Sequence, residues 1–214
     1  MNLPVIVLGG GGHAKVLIEA LLLQRIEVLG YTDPDESLKT AFGLRRLGDD
    51  QAILEYDPEE LKLVNGIGSV ASTSSRKRIY DRFRMKGYRF QTVTHPSAVI
   101  ASDVRINEGA QIMAGAVVQP GSSLGANAII NTGALVDHDC TIEAHAHIAP
   151  GAVLSGNVRV EQGAHVGTGA TIIQGVVIGE RSIIGAGSVV LEDVPSSVTV
   201  VGTPGKIIRR KGRD

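Results

Sequence analysis

Tryptophan is absent from this chain of 214 residues, and three Phe and four Tyr supply all its aromatic bulk, although 43% of the residues are hydrophobic. An interior of Val, Ile, Leu and Ala without large rings is a thin one. A single cysteine excludes an internal disulfide, and no charged leader with an apolar stretch and cleavage site opens the chain, so a reducing, cytosolic setting is expected. Charge of one sign is missing too: a net charge of −1 leaves no global field to recruit nucleic acid or an acidic membrane surface. The one dense basic run is 206–213, for which solvated, disordered charge at a terminus is the default expectation. Apolar runs are too short to span a bilayer. Glycine, in contrast, is abundant, at 27 residues.

A strict metre accounts for this balance. From Ile100 a large aliphatic residue returns every six positions, through Ile106, Ile112, Val118 and Leu124 and on to Ile184 and Val190, without a break. Two positions before each stands a small or β-branched residue, as at Ala98, Ala110, Ala128, Cys140 and Ala164. Alternation along a strand sends both to the same, inner side. Three positions after the aliphatic come Asp103, Gly109, Gly115, Gly121, Asn127, Gly133, Gly151 and Asn157, residue types that tolerate φ > 0 and so mark a tight corner. A short strand and a corner every six residues describe a parallel β-helix of triangular section. With three hexads per coil it has about five coils and stands on the order of 25 Å tall.

The metre sorts the densest polar stretch, ALVDHDCTIEAHAHIAPG at 134–151. Cys140 falls in an inner slot and reads as core. Asp139 and His145 fall on corners. His138 precedes a corner and points outward, as do Asp137 and Glu143, while His147 precedes an inner aliphatic on a further face. Successive faces turn by about 120°, so His138, His145 and His147 diverge and cannot enclose a metal ion within one subunit. Reading every eighteenth residue follows a column up one face. Val99, Val117, Leu135, Val153, Thr171 and Val189 form one outer apolar stripe; Gln111, Ile129, His147, His165 and Ile183 form a second. Such stripes call for a cover, either a second copy of the chain or another segment of this one. A homo-oligomer is the expectation, with His138 beside its interface.

Residues 1–92 read as a separate domain, before a prism over 93–198 and a tail over 199–214. A buried strand in LPVIVL, a glycine turn over 9–12 and a helix opening near His13 come first. Strands in IEVLGYTD and LKLVNGIGS follow, then a charged helix through STSSRKRIYDRFRMKG and a last strand YRFQTVTH. Alternating strands and helices predict a small parallel α/β sheet of Rossmann type. Glycines after the first strand let a phosphate approach backbone N–H groups at a helix N-terminus, and Asp33 ends the second strand, where a carboxylate takes a ribose hydroxyl. Turns with the spacing of Gly9, Gly11 and Ala14 also occur where nothing binds. The second half of a dinucleotide fold is missing, which favours a mononucleotide over a nicotinamide cofactor.

The two domains in this order resemble the bacterial hexapeptide-repeat sugar acetyltransferases, which include UDP-4-amino-sugar and GDP-perosamine N-acetyltransferases and sialic acid O-acetyltransferases. The resemblance covers nearly the whole chain and is carried by GGGGHAKV, INTGALVDHDC, the histidine nine residues after His138, and the closing IGAGSVVLEDVP and VVGTPGK. It implies a left-handed β-helix, a homotrimer with active sites between subunits, acetyl-CoA as co-substrate, a nucleotide-sugar on the N-terminal domain and no metal. It further implies His138 as general base with Asp139 as its carboxylate neighbour. Gly10, Gly12, His13, Asp33 and Asn131 would serve the nucleotide-sugar, and His147, Gly167, Gly185 and Lys206 the acetyl-CoA. The ending departs from the family pattern, with Pro204, Gly205 and Lys206 where PAK is usual.

Imidazole titrates near neutral pH, so His138 suits removal of a proton from an amine or hydroxyl attacking a thioester. Spacing leaves both Asp137 and Asp139 open as its orienting partner. Backbone N–H groups of the glycine-rich prism are the expected donors to the oxyanion. An amine acceptor is favoured because the glycine turn and Asp33 suit a nucleotide handle. Transfer to a sialic acid hydroxyl is the alternative, and a β-helical zinc hydratase recruiting His138, His147 and His165 is the second. A non-catalytic scaffold is the third rival. His95, before Pro96, reads as a connector, and His165 as an interface or CoA-lining residue.

Overall fold

Val5–Leu8 (β1) is an unbroken apolar run and is buried throughout, as a central parallel strand must be. The computed structural model describes residues 3–38, 42–69 and 72–208. In it β1 lies between β2 (Val28–Thr32) and β4 (Lys62–Asn65), with β3 (Arg46–Gly48) outside β2, and all four strands run parallel. Helix α1 (Gly12–Leu23) packs Leu17 and Leu21 with Val5, Val7 and Val64. On the other side of the sheet α2 (Ser74–Arg84) brings Tyr80 and Phe83 against Ile6, Leu8 and Leu63. The strand order therefore reverses between β1 and β4, and the loops after these two strands leave for opposite faces.

The single last strand expected over YRFQTVTH is two short pieces. Phe90 alone bridges Leu63 of the sheet, whereas Val93–Thr94 pairs with Gln111–Ile112 and is already the first rung of the prism. The chain changes sheets between them, and one continuous ladder cannot serve both.

Beyond that point two-residue strands recur at every hexad, stacked in register on three parallel faces. The inner slots hold as the alternation requires: Ala116, Cys140 and Ala164 and the aliphatics from Ile112 to Val190 form one buried cluster. Corners take φ near +60° at Asn127, Asp139, His145 and Asn157, and Arg181 does so as well. Asp103 is not among them. A left-handed backbone at a non-glycine residue costs about 1 kcal/mol, and at Asp139 its N–H is secured by donation to the Pro120 carbonyl one coil earlier, at 2.9 Å.

The stack is longer than the aliphatic metre. Thr94 keeps the six-residue step before Ile100 and pairs with Ile112, but a hydroxyl residue hides it from an aliphatic count. At the other end Thr199–Val201 adds a rung beside Ile183–Ile184, and Lys206–Ile208 folds back antiparallel on it. The described part of the expected tail is thus two strands joined by a turn over 202–205; 209–214, which hold the rest of the basic run, lie outside the described residues. Among the described residues no helix is long and apolar enough to cross a membrane.

The N-terminal domain docks on one face of the prism and covers the second stripe. Ile129 is fully buried there, and Gln111, His147 and His165 are buried with it. That stripe is covered from within the chain, the alternative that the spacing leaves open beside contact with a second copy. The first stripe stays open: Val99 is 64% and Leu135 41% exposed.

Candidate active site

His138 stands at the edge of the open face, three residues after Leu135. Its Nδ1 is 2.9 Å from Asp139 Oδ2, while Asp137 Oδ1 accepts the backbone N–H of His138 at 2.7 Å. Asp139 is therefore the side-chain partner and Asp137 a local brace, a choice that spacing left open. The left-handed backbone at Asp139 makes this contact between adjacent residues possible. The hydrogen bond to Asp139 raises the pKa of His138, helped by the charges of both aspartates.

Two glycines seat the pair. Gly156 lies one coil beyond His138, and a Cβ there would come within 3.0 Å of Nδ1 and closer still to Cε1 and Nε2. Gly121 lies one coil before Asp139, and a Cβ there would meet the carboxylate. Cys140 is buried, its thiol donating to the Ser155 carbonyl, and burial pushes its pKa up to about 11. It is part of the prism core. Beside the histidine the open face dips into a depression of about 180 Å³ lined by Val117, Leu135, Asp137, Val153 and Ser155. A cleft of about 500 Å³ lies between the N-terminus of α2 and the last rungs and includes neither His138 nor residues 9–12.

The second constellation is the crevice at the carboxyl ends of β1 and β4, the switch point at which open parallel sheets bind ligands. Gly11 and Gly12 open α1 with no side-chain cap, and a Cβ on either would meet nothing within 4 Å. Among the described residues their N–H groups have no acceptor, which leaves them available to an anion. Gly10 differs from what its motif position implies: its N–H donates to Asp33 Oδ2 at 2.9 Å, and a Cβ would strike the Tyr31 ring. Asp33 accepts the N–H of Asp35 with its other oxygen, so its carboxylate closes the turn. His13 points not into the crevice but at the prism, with Nε2 2.8 Å from Gln111 Oε1. Burial, with the charge of Arg76, lowers its pKa to about 4.

Between crevice and prism runs a polar seam that the sequence did not announce. Arg76 is buried and donates to the carbonyls of Asn65 and Ile67, at 2.9 and 2.8 Å. Gln111 donates to the Asn65 carbonyl at 2.9 Å. His145 is buried at its corner against Asn127 and the edge of Tyr80, with its pKa lowered by burial to about 4. His147 is 4% exposed; its Nδ1 meets Ser69 Oγ at 2.6 Å and its Nε2 meets Asn131 Nδ2 at 3.0 Å. His165 packs edge-on against it, ring centroids 4.9 Å apart. Both nitrogens of His147 are thus engaged within the chain. Gly167 and Gly185 share the column of Asn131 two and three coils on, where the neighbouring coil leaves no room for a side chain. Lys206 is exposed on the closing strand. His95 accepts from the backbone N–H of Ser97 just after the first rung, and serves the connection. Among the described residues no three imidazole, thiol or carboxylate groups converge as metal ligands.

Comparison with known proteins gives this arrangement a family. The PglD N-terminal domain matches residues 4–83, and the bacterial transferase hexapeptide (six repeats) matches 157–192. The structure is similar to that of perosamine N-acetyltransferase from Caulobacter crescentus solved with CoA and GDP-perosamine: TM-score 0.90, 39% identity, covering 96% of this chain and 97% of that one. It is equally similar to the acetyltransferase domain of PglB from Neisseria gonorrhoeae FA1090 in complex with acetyl coenzyme A: TM-score 0.90, 33% identity, covering 97% and 100%. UDP-N-acetylbacillosamine N-acetyltransferase of Bacillus subtilis (strain 168) is 40% identical over 115 residues, about half the length of each chain. With a switch-point crevice on one domain and an outward histidine pair on a solenoid, the chain belongs to the hexapeptide-repeat sugar acetyltransferases that carry a PglD N-terminal domain.

Proposed function

We propose that the protein transfers the acetyl group of acetyl-CoA to the amine of a nucleotide-linked 4-amino-deoxysugar, in bacterial glycan biosynthesis, with His138 as general base. The observation that carries this reading is the His138 Nδ1 to Asp139 Oδ2 contact on an open face. It leaves Nε2 unprotonated and free to take a proton. As the sugar amine attacks the thioester carbonyl carbon, its proton passes to Nε2 and the carboxylate stabilises the imidazolium. The tetrahedral intermediate collapses, the C–S bond breaks, and the imidazolium returns the proton to the departing thiolate. Transfer is direct in a ternary complex, consistent with the burial of Cys140.

The uncapped start of α1 at Gly11 and Gly12 would take the nucleotide's phosphates, with Asp33 shaping the turn. Asn131 would serve the acceptor, and Lys206 with the small-residue column at Gly167 and Gly185 the acetyl-CoA. The open stripe through Val99 and Leu135 would pack on neighbouring copies in a homotrimer, which closes the site beside His138. Acetyl-CoA and a nucleotide-sugar as substrates place the reaction in the cytoplasm. The relatives solved with GDP-perosamine and CoA support this choice of substrates.

A thiol-release assay with acetyl-CoA against UDP- and GDP-linked 4-amino sugars and free sialic acid tests it. Turnover with a nucleotide-linked amine is expected. Transfer to sialic acid alone would overturn the acceptor, and an acetylated enzyme accumulating without acceptor would overturn direct transfer.

A further inference from the structure

The loop after β4 is the second lip of the crevice. Gly68 packs on His13, a Cβ there falling 3.2 Å from the His13 Cβ, and the next residue, Ser69, reaches across to His147 on the prism. The protons along this link can be assigned. A backbone N–H only donates, and that of Thr132 points at Asn131 Oδ1 at 2.8 Å, which identifies the amide oxygen. The amide nitrogen of Asn131 therefore faces His147 Nε2 at 3.0 Å, and because an amide NH₂ offers no lone pair, Nε2 must be the acceptor. Burial, with His165, His13 and Arg76 nearby, keeps the ring uncharged. Its one proton is then on Nδ1 and is donated to Ser69 Oγ at 2.6 Å.

We infer that Ser69 is a positioning residue: it holds His147 as the neutral, Nδ1-protonated imidazole whose Nε2 fixes the Asn131 amide, so that one lip of the nucleotide crevice aims an acceptor-side residue. The inference deepens the function proposed above and rests on it for the roles of the crevice and Asn131. Without the Ser69 hydroxyl a buried Nδ1–H has no acceptor, the ring turns or changes tautomer, and Asn131 loses its partner.

The test compares Ser69→Ala and Ser69→Thr in the full chain. With ¹⁵N-labelled histidine, imidazole spectra of the parent should show His147 protonated at Nδ1 and bare at Nε2. Ser69→Ala should give a mixture of tautomers, and Ser69→Thr, which keeps a hydroxyl, should restore the parent pattern. In kinetics, Ser69→Ala should raise KM for the nucleotide-sugar about tenfold with KM for acetyl-CoA unchanged, and Thr should recover it. An unaltered tautomer in Ser69→Ala overturns the inference. So does a rise in both KM values that tracks a lowered melting temperature, since that describes a merely structural contact. The spectra need no turnover, so a chain that acetylates no nucleotide-sugar sinks the functional reading while the tautomer is still decided.

Discussion

The imidazole of His138 lies against Gly156, one full coil along the prism, at a distance that leaves no room for a methyl group. The backbone of Gly156 is not left-handed, so alanine is acceptable to the fold and objectionable only to the ring. Gly156→Ala should therefore displace His138 and lower kcat by about 10²-fold, the order expected when a reacting group moves by about an ångström. Circular dichroism melting should show no matching loss. A fully active variant would mean that the ring position seen here is not the working one.

Asp139 raises the pKa of His138, and a general base works only when unprotonated, so kcat/KM should fall as pH drops through that raised value. Asp139→Asn removes the carboxylate while keeping a residue type that accepts φ > 0. The acid limb of the pH profile should move to lower pH, and the plateau should drop by about 10²-fold. Asp137 touches the backbone N–H of His138, and Asp137→Asn should move the limb less.

Leu135 and Val99 are large apolar side chains left open to solvent in one column. If the chain forms the proposed homotrimer through this stripe, Leu135→Asp should reduce it to folded single subunits and abolish turnover, with mass read by light scattering after size exclusion. A variant that keeps its mass would place the interface elsewhere.

The domain seam should fail in acid. His13 and His145 have folded-state pKa values near 4 against an ordinary value of 6.5. Above pH 6.5 both are neutral folded or unfolded and add no pH dependence. Between about 6.5 and 4 the unfolded chain binds protons that the folded one refuses, so stability declines as pH falls. Urea midpoints measured from pH 7.5 to 4.5 should show that slope. His145→Asn, which suits the left-handed corner, should take up about one proton fewer on unfolding.

Particular residues show where pattern reading held and where it stopped. Cys140, Ile142 and Ile148 were placed inside the prism, and Asp139 and His145 on its corners, by the six-residue step alone, because strand alternation and corner dihedrals are local. Asp139 as the partner of His138 needed the side-chain rotamer, which spacing does not specify. The six-residue step puts His147 on an outer face, and the family resemblance puts it near acetyl-CoA. It is indeed outward from the prism, but the neighbouring domain buries it and Ser69 and Asn131 occupy both its nitrogens. Ser69 and Arg76 carried no motif; two glycines flanking the loop after β4, Gly66 and Gly68, were the one available hint.

Local order was enough to specify a three-faced solenoid, its inner and outer residues, and an outward histidine at 138, since each depends on neighbours within a few positions of the chain. Which face the first domain covers depended on contacts between residues as remote as Asn65 and Gln111, or Ser69 and His147. Docking is a surface match between two units that fold on separate patterns, and a repeat that looks nearly the same on all three faces contains no instruction about which of them is taken.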